Sequence, residues 1–177
     1  MIRLISALTY SMVFAMLKNR QDTEEVIQDA SLKVIDSLLL EENEIGAFKF
    51  QSSLKTWIYR IALNKAKDKI AYNKRDKRKA MSQSMSLDIE DSSALRLASR
   101  IAPPDVVMEH NESLLKLWQS IDMLPLKQRE ALILTKIDQN SMKETAVIMK
   151  TTPKAVESLL SRGKANLKNI LNQKNSM

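Results

Sequence analysis

Apolar residues recur at three- and four-residue intervals along most of this chain, and the breaks in that rhythm divide it into elements. Ile2, Ile5, Leu8, Met12, Ala15 and Met16 keep helical spacing across residues 1–20. Asp22 or Thr23 offers an N-cap for the next run, EEVIQDASLKVIDSLLL, in which Val26, Ala30, Val34 and Leu38 recur at every fourth position. Glu24 and Glu25 fall in its first turn, where the helix dipole favours negative charge. The segment 41–53, EENEIGAFKFQSS, breaks the pattern with polar residues and Gly46. The pattern resumes in LKTWIYRIALNKAKDKIAYNKRDKRK, where Leu54, Trp57, Ile58, Ile61, Ala62, Ala66 and Ile70 form one stripe and Lys55, Arg60, Asn64 and Lys67 lie off it. Three amphipathic helices of this size can bury a small shared core.

Residues 80–108, rich in Ser and Asp and ending near Pro103-Pro104, have little periodicity and read as a linker. Helical patterning returns from about Glu109 in HNESLLKLWQSIDML, and Pro125 then occupies the first position of a helix continuing LKQREALILTKI. Ser141 and Glu144 make a capping box for MKETAVIM, and Thr152 with Pro153 opens a last helix. A short helix, a three- or four-residue turn and a second helix match the helix-turn-helix plan. In the second helix Val156, Leu160, Gly163, Leu167 and Ile170 share a face that must be core. Lys154, Ser158, Ser161 and Ala165 lie opposite, flanked by Glu157, Arg162 and Lys168. A major groove suits such a surface, with long cations for phosphates and short polar groups for base edges. A helical hairpin packed for its own sake fits the apolar pattern equally, but would more often carry Glu–Lys pairs four apart outside. The turn places Lys150 where glycine commonly takes a left-handed conformation, at a cost of about 1 kcal/mol. The expected fold is therefore all-α: two small helical domains over 1–79 and 109–174, joined by a flexible linker over 80–108, the C-terminal one a helix-turn-helix.

Composition agrees with helix: of 177 residues only two are Gly and four Pro. With no cysteine, disulfides and thiolate metal sites are excluded, and the single His110 has no second imidazole with which to build a site. No metal, cofactor or catalytic set is expected. No apolar run reaches the ~20 residues of a membrane span. MIRLISALTYSMVFAML lacks a small-residue cleavage site and reads as a core helix, so a cytoplasmic protein without membrane insertion is expected. The formal charge of +7 is unevenly spread. Asp22–Glu44 carries a net −7, Lys55–Lys79 a net +8, residues 81–110 a net −3 and residues 111–177 a net +5. Such blocks point to separate partner-facing surfaces. Cations and aromatics interleave at Phe48, Lys49, Phe50, Gln51, Ser52 and Ser53 and along the following helix with Trp57, Tyr59 and Tyr72, as single-stranded nucleic acid requires. Trp57, on the apolar stripe, reads as core. The cluster KRDKRK at 74–79 suits phosphate contact.

These segments, in this order, resemble the sigma-70 family of bacterial RNA polymerase initiation factors, most closely its extracytoplasmic-function type. DTEEVIQDASLKV is similar to the acidic signature D-A-E-D-x-V-Q-E-x-F-L-K-V, and SSLKTWIYRIALNKAKDKI to S-F-K-T-W-L-Y-R-I-A-x-N-x-A-x-D. LPLKQREALIL, SMKETAVIM and KAVESLLSRGKANL resemble L-P-x-x-x-R-E-x-x-x-L, S-x-x-E-I-A and T-V-x-S-R-L-x-R-A-x-x-x-L. The resemblance covers about 2–78 and 112–171. It implies a promoter-specificity factor, not an enzyme, that binds core RNA polymerase through the β′ clamp helices and the β flap and helps melt promoter DNA. Glu25, Gln28, Asp29 and Ser31 match polymerase-docking positions. Lys49, Phe50, Gln51 and Ser52 match the loop that captures a flipped base of the minus-ten element, and Lys55, Arg60, Asn64 and Lys67 the face following the opened strand. Lys154, Glu157, Ser158, Ser161 and Arg162 match the helix reading the minus-thirty-five element in duplex DNA. An anti-sigma partner is implied as possible. The chain departs from the family pattern at Leu54, Thr145, Glu157 and Leu159. A free-standing helix-turn-helix regulator would need a dimerisation or ligand domain that residues 1–80 do not resemble. A metal-dependent nuclease using Asp22, Glu24, Glu25 and Asp29 lacks a paired carboxylate from a second element.

Overall fold

The first apolar rhythm becomes α1, Ile2–Leu17, which buries Ile5, Met12, Val13, Phe14, Ala15 and Met16 together with Thr9, whose hydroxyl donates to the Ile5 carbonyl at 2.8 Å. Lys18, at φ 56°, turns the chain, and α2 runs over Arg20–Leu39. Its cap is Asn19, whose side chain accepts from the Asp22 backbone N–H at 3.0 Å, so the helix starts before the Asp22/Thr23 cap the sequence offered. Thr23 is fully buried and donates to the Asn19 carbonyl at 2.6 Å. The helix α3, Leu54–Gln83, is capped by Ser53, whose Oγ accepts from the Thr56 N–H at 3.1 Å, and it extends past residue 79. The three helices pack against one another. Ile5, Val34 and Ile58 form a buried cluster flanked by Leu38, Trp57 and Ile61, and Ala30, Ala62, Leu63 and Ala66 are also buried. Truncating a side chain as enclosed as Leu63 costs about 2–5 kcal/mol.

This computed structural model describes residues 2–40, 48, 50–83 and 107–175. The expected linker lies outside them over 84–106, as do Lys49 and the side chain of His110. The chain divides into two compact units, 1–89 and 90–177.

In the second unit, α4 (Val107–Asp122) leads to α5 (Leu126–Leu132), for which Pro125 is the N-cap and not the first helical residue. The following Ile133–Ile137 widens into a π-turn that keeps both Ile133 and Leu134 buried. Asn140 closes this turn, donating from its backbone N–H and its Nδ2 to the Leu134 carbonyl at 3.0 and 3.2 Å. Periodicity alone predicts one unbroken helix here. Ser141 and Glu144 form the expected capping box at the start of α6, Met142–Ile148. Lys150 takes φ 52°. The Thr151 N–H reaches the Ala146 carbonyl at 2.8 Å and the Lys150 N–H the Val147 carbonyl at 3.3 Å. Those two bonds satisfy orphan carbonyls of α6 and offset the cost of a lysine in a left-handed conformation. Thr152 Oγ1 then accepts from the Ala155 N–H at 3.2 Å, and α7 runs over Pro153–Asn175. Val156 and Leu160 of α7 pack into a core with Leu124, Ala131, Leu132 and Ala146.

Candidate nucleic-acid interface

The face of α7 away from this core is continuous. Lys154, Glu157, Ser158, Ser161 and Arg162 are all exposed, with Lys164 and Lys168 beyond them. Gly163 lies on the buried side, where a Cβ would stand 3.2 Å from Leu132 Cδ1. Leu159 is half-buried against the core, so the position where the family pattern has arginine serves packing here. Arg162 hydrogen-bonds the Ser158 carbonyl from Nε at 3.3 Å, which lays the guanidinium along the helix surface. Lys154→Ala with Arg162→Ala is expected to weaken duplex binding about uniformly across sequences and to lower the log–log salt slope by about two. Filter binding of the polymerase-bound protein at several salt concentrations measures both.

In the first unit the loop before α3 is built on aromatics. Phe48 is buried, its N–H bonded to the Ser37 carbonyl at 3.2 Å. Its ring packs against Trp57 at 4.8 Å and Phe50 at 4.6 Å between centroids. Phe50 itself is 71% exposed at φ 51°, a left-handed conformation that bulky side chains rarely adopt. Gln51 is exposed beside it and Ser52 half-buried. Trp57 is half-buried against the Ile5–Val34–Ile58 cluster, as its place on the stripe predicts, and Tyr59 is buried outright. Around α3, at 100° per residue, Arg60, Asn64 and Lys67 fall within an arc of about 60°. Lys55 sits about 140° from Arg60, its Nζ 5.7 Å from the centre of the Tyr59 ring, so the structure does not place it on the same face.

On α2, Glu25, Gln28 and Asp29 are exposed on one face. Ser31 is not among them: it is 1% exposed, and its hydroxyl has no hydrogen-bond partner. A side chain so enclosed offers a docking partner no surface, and its place in that set is corrected to the core. Lys65 and Lys69 of α3, which no sequence motif connects to α2, pair with this face. Lys69 lies 2.6 Å from Glu25 and 3.3 Å from Asp22, and Lys65 lies 3.4 Å from Asp29. The hydrogen bond to Glu25 raises the Lys69 ammonium above its ordinary range. Among the described residues no His, Asp or Glu cluster could hold a metal ion, and no helix is long and apolar enough to cross a membrane.

Comparison with known proteins fits both units. The sigma-70 region 2 model matches residues 1–76 and the sigma-70 region 4 model residues 114–167. The chain belongs to the sigma-70 family. It is 26% identical to the extracytoplasmic-function (ECF) sigma factor SigW of Bacillus subtilis over 166 residues, covering 92% of this chain and 82% of the relative. It is 28% identical to the ECF sigma-E factor of Escherichia coli K12, over 84% of this chain and 73% of the relative. With the sigma factor NccH of Alcaligenes xylosoxydans it shares 29% identity, over 85% and 73%. Two solved structures share the fold at 19% identity. The sigma factor RpoE bound to the anti-sigma factor NepR from Bartonella quintana has a TM-score of 0.65, covering 97% of this chain and 94% of that one. CnrH bound to the cytosolic domain of CnrY has a TM-score of 0.61, covering 97% and 85%. This is an ECF sigma factor, a regulatory subunit for promoter-specific transcription initiation with RNA polymerase on promoter DNA.

Family membership also explains two orphaned hydroxyls. Ser31 stands where the acidic signature has Phe, and Thr145 where S-x-x-E-I-A has Ile; both are buried and neither Oγ has a partner. A buried unsatisfied hydroxyl costs about 1–3 kcal/mol. Thr145→Val, close to isosteric, and Ser31→Ala are each expected to stabilise their own unit by about 1 kcal/mol, raising its melting midpoint by several degrees. Calorimetry of the two variants checks this; unchanged or lowered midpoints would mean that the hydroxyls are satisfied in solution.

Proposed function

We propose that this sigma factor docks on core polymerase through the exposed acidic face of α2, centred on Glu25, Gln28 and Asp29, and that its two units divide promoter recognition. Unit 1 captures an unstacked base of the minus-ten element at Phe50, Gln51 and Ser52, with Lys49 beside them in sequence. The arc of Arg60, Asn64 and Lys67 follows the phosphates of the opened strand, and Lys55 contributes from the first turn of α3. Unit 2 lays α7 in the major groove of the minus-thirty-five element, with Lys154 and Arg162 on phosphates and Glu157, Ser158 and Ser161 toward base edges. Glu157 accepts a hydrogen bond from cytosine N4 in this arrangement. The protein makes and breaks no covalent bond. Opening rests on holding unpaired bases, which offsets the few kcal/mol that unstacking costs. Its work with polymerase and promoter DNA is done in the cytoplasm, and the likeness to two sigma factors solved with anti-sigma partners supports such a partner here.

The observation that supports this reading is the exposed polar face of α7: unit 2 buries its apolar stripe and leaves Lys154, Glu157, Ser158, Ser161 and Arg162 outward, while unit 1 leaves Phe50, Gln51, Lys55 and Asn64 exposed and Ser52, Arg60 and Lys67 half-buried. The test is run-off transcription from a pool of random promoters with core polymerase, with and without this protein. Selected transcripts sharing two sequence elements at fixed spacing are expected only when it is present. A footprint on duplex DNA without polymerase, and no selected transcripts, would favour a free-standing regulator instead.

A further inference from the structure

The helix α3 carries cations on two separate edges. Relative to Arg60, Asn64 and Lys67, residues Lys65 and Lys69 lie about 100–180° round the helix and face α2. There they meet the acids of the docking face. Lys69 Nζ is 2.6 Å from Glu25 Oε2 and 3.3 Å from Asp22 Oδ1, Lys65 Nζ is 3.4 Å from Asp29 Oδ2, and Asn73 Nδ2 donates to Asp22 Oδ2 at 2.8 Å. Glu25 and Asp29 are thus compensated from inside the chain, with the amide of Gln28 exposed between them.

The two pairs differ in depth. The Lys69 side chain is 16% exposed and holds Asp22 at 22%, whereas Lys65 and Asp29 are 38% and 53% exposed. Asp22, itself held by Asn73, anchors Lys69 between the helices, but Glu25 at 60% still faces solvent beyond it. The Lys65–Asp29 and Lys69–Glu25 contacts, each with a carboxylate more than half exposed, are weak and exchangeable, because solvent and salt screen them and long side chains lose freedom to make them. An arriving cation can therefore take the place of an ammonium group at little cost. Until then the face projects less negative field than its count of acids implies.

We propose that Lys65 and Lys69 are internal counter-cations that set the strength and selectivity of the α2 docking face, which engages polymerase by exchanging these ammonium groups for arginine or lysine side chains of the partner. This rests on the reading that α2 docks on core polymerase. Surfaces with scattered positive charge cannot complete the exchange, so the lysines discriminate against weakly basic partners.

The experiment is a titration of core polymerase with the full-length protein at low and high salt, comparing wild type, Lys65→Met and Lys65→Met/Lys69→Met. Methionine keeps an apolar stem while removing the charge. The double variant is expected to bind about three- to tenfold more tightly at low salt, mainly through faster association, with the gain shrinking as salt rises. Lys65→Met alone, which breaks only the more exposed pair, is expected to show part of that gain and an unchanged melting midpoint. Unchanged or weaker binding by a folded Lys65→Met variant overturns the exchange and makes the lysines mere struts between α2 and α3. Failure of the underlying docking reading looks different: wild type does not bind core, or Gln28→Ala/Asp29→Lys binds as wild type does.

Discussion

Combining Gln28→Ala with Asp29→Lys is expected to abolish co-elution with core RNA polymerase, lowering affinity by about 100-fold or more, while the melting midpoint stays within a few degrees of wild type. Both residues are exposed on α2, and the helix is held by its opposite side, where Val26, Ile27, Ala30 and Val34 are buried. The substitution removes an amide from the centre of the face and reverses a charge next to it. A cation of the partner that would meet the Asp29 carboxylate is repelled by the ammonium group replacing it, and like charges brought together across an interface cost several kcal/mol. The lost Lys65–Asp29 pair is more than a third exposed on both sides and contributes at most about 1 kcal/mol to folding. Val34→Asp is also expected to destroy binding, but by unfolding the three-helix core, so the two variants separate surface from scaffold. Co-elution on gel filtration with circular dichroism on the same samples measures both. A folded double variant that binds like wild type removes α2 from the docking interface.

The helices and their buried sides were legible because burial of an amphipathic stripe is a local signal: Val34, Ile58, Ala62, Val156 and Leu160 all lie inside. Capping chemistry was legible wherever cap and helix are adjacent in sequence, as at Ser141–Glu144 and Thr152. It failed at Asn19, because the start of α2 is set by the left-handed turn at Lys18 and not by the acidic residues that follow. The π-turn at Ile133–Ile137 left no trace in periodicity, since its geometry depends on Asn140 closing it from beyond the helix end. At the site, what the sequence missed about Ser31, Lys65 and Lys69 has one cause. Whether a polar residue faces water depends on the element packed over it, and that element is distant in sequence. As a letter Ser31 suits a surface position as well as a core one, and only the packed helices show it enclosed. The pairing of Lys65 and Lys69 is invisible in the sequence because Asp29 and Asp22 are 36 and 47 positions away. Lys55 groups with Arg60, Asn64 and Lys67 in the sequence because all four lie off the apolar stripe, yet helical geometry separates it from them.

Phe50→Ala is expected to reduce promoter opening by about 10- to 100-fold while leaving polymerase binding unchanged, since one base–aromatic stacking contact is worth about 1–3 kcal/mol by alanine substitution. The ring is 71% exposed and its backbone is held at φ 51°. A phenylalanine there costs folding free energy twice, once in left-handed strain and once in apolar surface left in water. The Phe48 ring at 4.6 Å offsets part of this and fixes the direction in which Phe50 projects. Strain retained at one exposed residue on a well-packed base fits a ring whose partner arrives from outside the chain. Phe50→Gly separates ring from backbone. Glycine takes a positive φ without strain, so this variant is expected to fold at least as stably as wild type and still to lose opening as Phe50→Ala does. Phe50→Trp, which keeps a stacking face, is expected to retain most of it. Permanganate reactivity of thymines in the promoter bubble reports opening, and binding of the same variants to core polymerase serves as the control. If Phe50→Gly opens promoters normally, the turn and not the ring is what the loop supplies, and base capture must then rest on Gln51, Ser52 and the buried aromatics behind them.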